Sequence, residues 1–446
     1  MKQKKPDLLH GPIRSELLWF SIPMLLSNIF QSFYNMMDIA IVGNELGELS
    51  LSAIGSCTAL YSFILMFSTG FRNGLSIVVG RYYGAEDEDA IRSCTALSLL
   101  IGVVLSLVIW LFSSSGLTVV LRMLNTPENV LGEAHSYLSI IVGFAGIMFF
   151  YNLLSADLRA IGNSTAPLYF LIFSSLLNIV LDLFAIRILK LGVAEAAWAT
   201  VLAQLIASLF CLFYIRTHAQ ILIPKRSSFH IRMDLLKDLL SQGSSMALMM
   251  AIVSAGSVVL QSGINALGNE VIAGHTTALT VSGFMMMPLL AFSSSCSVVV
   301  SQNYGSRQYK RVIESLRASN LLCWGWSMIS ILFSFTAGRQ VLHLISGSNS
   351  SVILNNGAAY LRTAACFYPI LSVLFNIRNS LQGIGKKLVP LFSSMIELVL
   401  KIVFTLWVIP TFHYQAVIYC EPLIWCVMTV QLLATFQKQK KLLLNS

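Results

Sequence analysis

Seven ionisable side chains stand inside stretches otherwise too apolar to hold them: Asp38, Arg72, Asp182, Arg362, Glu397, Lys401 and Glu421. An ion inside a bilayer costs several kcal/mol, so each is a candidate for function. Asp38 precedes Gly43 by five residues, about 7 Å of helix, and Asp182 follows Pro167 by fifteen, about 22 Å. If both helices run outward from the cytoplasm, the two acids share one level in the outer half of the membrane. Asn178 lies one turn deeper on the face of Asp182. Thr200, eight residues past Gly192 on a returning helix, reaches the same level about 12 Å down. Two carboxylates with an amide and a hydroxyl can share a proton, or offer hard oxygen ligands to a small cation such as Na+. The plainer alternative leaves Asp38 solvated at the interface and Asp182 capping a neighbouring backbone.

The remaining charges read differently. Glu397 and Lys401 are an i, i+4 pair that can neutralise itself within one helix while lining a path. Arg72 lies roughly 13 Å from the cytoplasmic end and can snorkel. Glu421 sits beside Pro422 as a second path-lining candidate, and Arg362 has no counter-ion identifiable in the sequence.

The elements that must position these groups are membrane helices. Of 446 residues, 56% are hydrophobic and 11% charged, far below the roughly one-quarter charge of soluble chains, and the mean hydropathy is +0.75. Apolar windows long enough to cross about 30 Å of hydrocarbon fall near 17–42, 51–79, 93–115, 134–154, 167–189, 192–215, 238–262, 271–301, 318–338, 356–377, 388–410 and 413–436. Twelve spans put both termini on one side. The loops on that side (N-terminus, 80–92, 155–166, 216–237, 302–317, 378–387, C-terminus) hold 22 of the 29 Lys and Arg residues, and the alternate loops hold four. That asymmetry predicts cytoplasmic termini, and it accounts for the net charge of +9 without any nucleic-acid surface. Residues 1–16 lack the apolar region of a removable signal peptide.

The chain also repeats itself. Residues 71–84 align with 292–305 at an offset of 221 with six identities, and Leu158, Ile161, Gly162, Pro167 and Leu168 recur as Leu381, Ile384, Gly385, Pro390 and Leu391 at 223. Six spans per repeat give the halves the same orientation, an architecture of secondary transporters. The expected organisation is all-α: an N-lobe over 1–216, a cytoplasmic linker over 217–237 and a C-lobe over 238–446. The eight cysteines show no ligand or redox spacing, and the histidines are scattered without a metalloprotease or hydrolase signature. An enzyme is therefore not expected, and neither is a cofactor nor a metal beyond the coupling ion.

Further motifs carry a resemblance. The opening Gly11-Pro-Ile, Pro23, Gln31-Ser-Phe-Tyr-Asn-Met-Met-Asp-Ile-Ala-Ile-Val-Gly43, Ala53-Ile-Gly55, Gly80-Arg-Tyr-Tyr-Gly84, Ser301-Gln-Asn-Tyr-Gly305, Asn178-Ile-Val-Leu-Asp182 and Ala196-Ala-Trp-Ala-Thr-Val-Leu-Ala-Gln204 occur across the whole chain. Together they resemble the multidrug and toxic compound extrusion (MATE) family, closest to the bacterial branches with an N-lobe cation site. The resemblance implies a V-shaped pair of six-helix lobes exporting organic molecules in exchange for protons or sodium ions. It places the cation site on Asp38, Asn178, Asp182 and Thr200, and the bend of the first helix at Pro23, where a lost backbone hydrogen bond allows a kink. One departure stands out: the seventh helix has no acid and the tenth has Arg362, so the C-lobe sodium site of another branch is not expected.

The function expected is a cation-coupled antiporter of the cytoplasmic membrane, monomeric among lipids, exporting amphipathic, often cationic, drugs by alternating access. Phe30, Tyr34, Met249, Met286, Arg72, Glu397 and Lys401 are candidates for the substrate path, aromatic and thioether groups suiting varied ligands. A lipid-linked-precursor flippase of the same superfamily is the alternative, and it would favour an arginine-rich cavity.

Overall fold

The computed structural model describes residues 6–124 and 126–445; side chains at 39, 59, 112–115 and 445 are outside that description. Among the described residues there is helix and no strand. A backbone in hydrocarbon must satisfy its own hydrogen bonds, and apolar runs of this length do so as helices. In order they are α1 (Ile13–Leu46), α2 (Glu48–Gly84), α3 (Glu88–Met123), α4 (Glu128–Gly143), α5 (Ala145–Ala160), α6 (Thr165–Leu183), α7 (Val193–His218) and α8 (Met233–Asn265). There follow α9 (Asn269–Gly305), α10 (Tyr309–Thr336), α11 (Gly338–Ser346), α12 (Ser351–Gly383), α13 (Leu388–Val403) and α14 (Ile409–Asn445).

These make twelve segments of spanning length. Among the described residues, nine helical runs are apolar and long enough to cross a bilayer, and α4 with α5, bent by 44° at their junction, makes a tenth. The last of the nine, Leu388–Leu444, runs for 57 residues and breaks at His413, whose φ of 52° and ψ of −136° turn the chain, so it holds two crossings. The 34-residue α1, with Pro23 inside it, is the remaining one. Helices α6 and α13 each continue into a π turn, Phe184–Ile188 and Phe404–Val408, so the repeat is visible in backbone geometry as well as sequence.

Contacts divide the chain into two units, Leu26–Ala247 (the N-unit) and Met1–Leu25 with Leu248–Ser446 (the C-unit). The dividing points lie inside α1 and α8, whereas the repeat-based halves meet in the 217–237 loop. The beginning of α8 belongs to the N-unit for a packing reason: a Cβ on Gly74 of α2 would come within 2.6 Å of the Gly243 Cα, so these two glycines let the backbones touch. The 217–237 loop is held there too, with Arg92 Nη1 donating to the carbonyls of Gln220 (3.2 Å) and Ile223 (2.9 Å), and Arg81 Nη2 lying 2.8 Å from Asp238 Oδ2.

In the C-unit, α12 runs through the core against α9, α10 and α14, with Tyr368, Leu361 and Leu381 fully buried. The chain start is fastened to the same unit, Asn303 Nδ2 donating to Leu8 O (3.0 Å) and Arg311 Nη2 to Gly11 O (2.8 Å).

Two of the loops expected on the cytoplasmic side are shorter than the sequence suggests. α5 extends to Ala160 and α12 to Gly383, so Arg159 and Arg378 lie on helices rather than in the 155–166 and 378–387 loops. Asp157 and Arg378 are interior, at 0% and 7% exposure. Protein, not lipid, surrounds these helix ends, so an apolar-window measure stops before they do.

Candidate functional site

The N-unit builds its site on α1, α2, α4, α6 and α7. Asp38 on α1 and Asp182 on α6 come within hydrogen-bonding reach of each other. Asp182 is fully buried and Asp38 partly so. Asn178, one turn below Asp182 on the same face of α6, donates from Nδ2 to Thr200 Oγ1 on α7 at 3.3 Å, and that hydroxyl is 3.5 Å from Tyr34 Oη on α1. Thr200 Oγ1 in turn donates to Ala196 O at 3.2 Å, which fixes its rotamer. The four residues expected to converge are thus brought together from three helices. The π turn Phe184–Ile188 begins two residues after Asp182, and such bulges concentrate at functional sites because they re-aim the preceding turn.

Two phenols were not anticipated. Tyr61 on α2 and Tyr137 on α4 both lie within electrostatic reach of Asp38, as does Tyr34. Nothing in their local sequence marks them: α2 had to be placed at the right depth beside α1 before Tyr61 could be linked to Asp38.

A small, partly open cavity lies between α2 and the broken α4–α5 pair. Tyr61 closes one end, Ile64, Leu65 and Phe149 form apolar walls, and Arg72 and Asn152 occupy the other end. Arg72 does not snorkel: it donates to Asn152 O (3.4 Å) and Thr69 Oγ1 (3.3 Å), which holds a guanidinium at the cavity's polar end.

The other path candidates are placed apart. Phe30 is exposed on α1, and Met286 packs partly buried against the C-unit core, its sulfur 3.9 Å from Ser282 Oγ. Met249 is buried, its sulfur accepting from Arg378 Nε (3.0 Å) and Gln382 Nε2 (3.1 Å), which makes it a structural acceptor in the C-unit. Glu397 and Lys401 pair at 3.0 Å as their spacing predicts. Arg362 sits over the Phe335 ring at 5.4 Å, a cation–π contact that supplies the partner the sequence did not reveal.

The family model for MatE matches residues 23–184 and again 245–407, one copy on each repeat. The chain belongs to the MatE family. This MatE protein is accordingly a multi-pass membrane transporter of small molecules, not an enzyme, and needs no cofactor. It is similar to "Probable multidrug resistance protein YpnP" of Bacillus subtilis (strain 168), 28% identical over 410 residues covering 90% of each chain. It is also similar to "Probable multidrug resistance protein YoeA" of the same organism, 28% identical over 354 residues, 77% of this chain and 74% of that one. A crystal structure of a MATE protein in complex with MaL6 superposes with a TM-score of 0.91 over 100% of both chains at 22% identity, a likeness of fold.

Proposed function

We propose that this MatE protein exports amphipathic organic compounds across the cytoplasmic membrane in exchange for protons or sodium ions taken up at Asp38 and Asp182. The observation that carries the reading is Tyr61, which connects both halves of the machinery: it lines the cavity and lies within electrostatic reach of Asp38. Two carboxylates within hydrogen-bonding reach cannot both stay ionised without a proton or cation between them. Loading the pair from outside neutralises it, and unloading it to the cytoplasm restores repulsion, so the packing of α1 beside Tyr61 follows the charge state. Pro23 gives α1 a position where such a change can be absorbed as a bend. The cavity is apolar along its walls with polar groups at Tyr61, Arg72 and Asn152, a lining that suits the end of an amphipathic compound entering from a wider path.

The relatives' names support drug export, and they do not favour the flippase reading, for which the cavity offers a single arginine, Arg72. The loop charges support cytoplasmic termini, and the chain is taken to act as a monomer among lipids. One charge moving through about 100 mV yields roughly 2.3 kcal/mol, and one pH unit adds about 1.4, enough for a gradient of a few hundred-fold.

Reconstituted vesicles test this. Ethidium or a fluoroquinolone is loaded, and its flux is followed while the proton and sodium gradients are collapsed separately. The expected result is flux that stops with one of the gradients, and no driven flux in Asp38→Asn or Asp182→Asn at normal membrane expression. Full driven flux in both variants would overturn the proposal.

A further inference from the structure

The C-unit carries its own group of charges within the spans. Lys401 Nζ on α13 lies 3.0 Å from Glu397 Oε1 and 3.6 Å from Glu421 Oε1 on α14, with its side chain only 3% exposed. Tyr360 Oη on α12 donates to the other oxygen of Glu421 at 3.1 Å. Arg378, also on α12, hydrogen-bonds Ser394, which stands one turn before Glu397 on α13. Two cations therefore balance two acids across three helices.

The position of Lys401 is constrained as well as its charge. A Cβ on Gly256 of α8 would come within 3.1 Å of Lys401 Cδ, so the glycine leaves just enough room for the lysine stem. At the repeat offset of 223, Lys401 stands where Asn178 stands in the N-unit, and Glu397 where Ser174 stands. Both helices continue into a π turn a few residues later. The same element that supplies an amide and a carboxylate to a charge site in one repeat supplies an ammonium in the other.

A buried ammonium bridging two carboxylates from different helices has the coordination that a free monovalent cation would need: oxygen ligands of net negative charge around a buried centre. We propose that Glu397 and Glu421 form a monovalent-cation site in the C-unit that Lys401 fills with its own tethered ammonium. While the lysine is present this site takes up neither a proton nor a sodium ion; without it the site accepts one. The other titratable groups facing this site are Cys420 on α14, Tyr360, Tyr368 and Arg378 on α12, and, behind Tyr360, His275 of α9, whose Nδ1 is 3.3 Å from Tyr414 Oη of α14. α8 presents Gly256 at the contact.

The test is made on the purified full chain with Asp38 and Asp182 both changed to asparagine, so that it stands or falls independently of the N-unit reading. Proton uptake after a step from pH 8 to pH 5.5 is measured without sodium, and sodium binding is measured at pH 8. Adding Lys401→Met to this parent is expected to bring a gain of about one proton or about one sodium ion per chain, and the arm that responds names the ion. Lys401→Arg, or Lys401→Met combined with Glu421→Gln, is expected to show no gain. If Lys401→Met does not yield folded protein, Lys401→Ala is melted with and without n-propylammonium; a rise in Tm that Glu421→Gln abolishes supports the site. No gain in either ion by folded Lys401→Met, no rescue of Lys401→Ala, or an uptake by the parent that Glu421→Gln removes, overturns it.

Discussion

On the proposed reading, Arg72 is the side chain that sets which substrates the cavity takes. Its guanidinium is the one cation at the described cavity, held by Asn152 O and Thr69 Oγ1 rather than by an acid. A charge of this kind in a site of intermediate dielectric shifts ligand affinity by 1 kcal/mol or more over several ångströms. Arg72→Gln should therefore raise KM for substrates carrying a carboxylate by about tenfold and lower it for lipophilic cations, while leaving driven flux intact. Flux assays with one anionic and one cationic dye read this directly, and equal changes for both dyes would remove the arginine from the substrate site. The sequence revealed Arg72 as an oddity because charge is rare in the spans. It could not reveal Tyr61 or Tyr137, because tyrosine is common in membrane helices and what marks these two is only that the fold brings them within electrostatic reach of Asp38. Asp38, Asn178, Asp182 and Thr200 were legible for the opposite reason: depth along a straight helix is simple arithmetic, and polar side chains at equal depth in neighbouring spans tend to meet.

At the scale of elements, the same residue type plays opposite parts within α2. Gly74 faces α8 so closely that a Cβ would meet backbone, with Gly243 Cα at 2.6 Å and Gln242 O at 2.7 Å, whereas a Cβ on Gly55 would meet nothing within 4 Å. Backbone cannot retreat as a side chain can, so Gly74→Ala must push the two helices apart. That should cost about 1–3 kcal/mol and lower Tm. Gly55→Ala adds no clash and removes backbone freedom from a helix interior, which should be neutral or stabilising by about 0.5–1 kcal/mol. Thermal unfolding of the detergent-purified variants distinguishes the two, and equal Tm values would show that α2 and α8 do not need this contact. Apolar windows predicted both helices but not that α8 begins within the N-unit, since the packing depends on glycines and not on hydropathy. The break between α4 and α5 escaped for a related reason. Gly143 and Phe144 carry no proline, and only packing against α2 shows that the span bends there.

For the whole molecule, the distribution of positive charge is the strongest statement the sequence makes about orientation. Two of the arginines counted in its favour, Arg159 and Arg378, stand among buried residues near the ends of α5 and α12, and Arg378 is itself buried. The asymmetry survives their removal because the N-terminus and the 216–237 and 302–317 loops carry most of it. An exposed lysine or arginine in a loop resists translocation, while one enclosed by protein contributes nothing to that barrier, so only the exposed set should determine topology. This can be tested in a cysteine-free chain carrying one new cysteine at a time, labelled in intact cells with a membrane-impermeant maleimide. Cysteines replacing Arg226 and Lys386 should react only after the membrane is opened, and cysteines replacing Lys190 and Ser348 should react from outside. The reverse pattern would invert the assignment, placing Asp38 and Asp182 toward the cytoplasm and reversing the direction in which a cation gradient loads them. Neutralising the cations of the 217–237 loop offers a sharper form of the same test: Lys225→Gln with Arg226→Gln and Arg232→Gln should weaken the bias, whereas Arg159→Gln and Arg378→Gln should leave the labelling pattern unchanged.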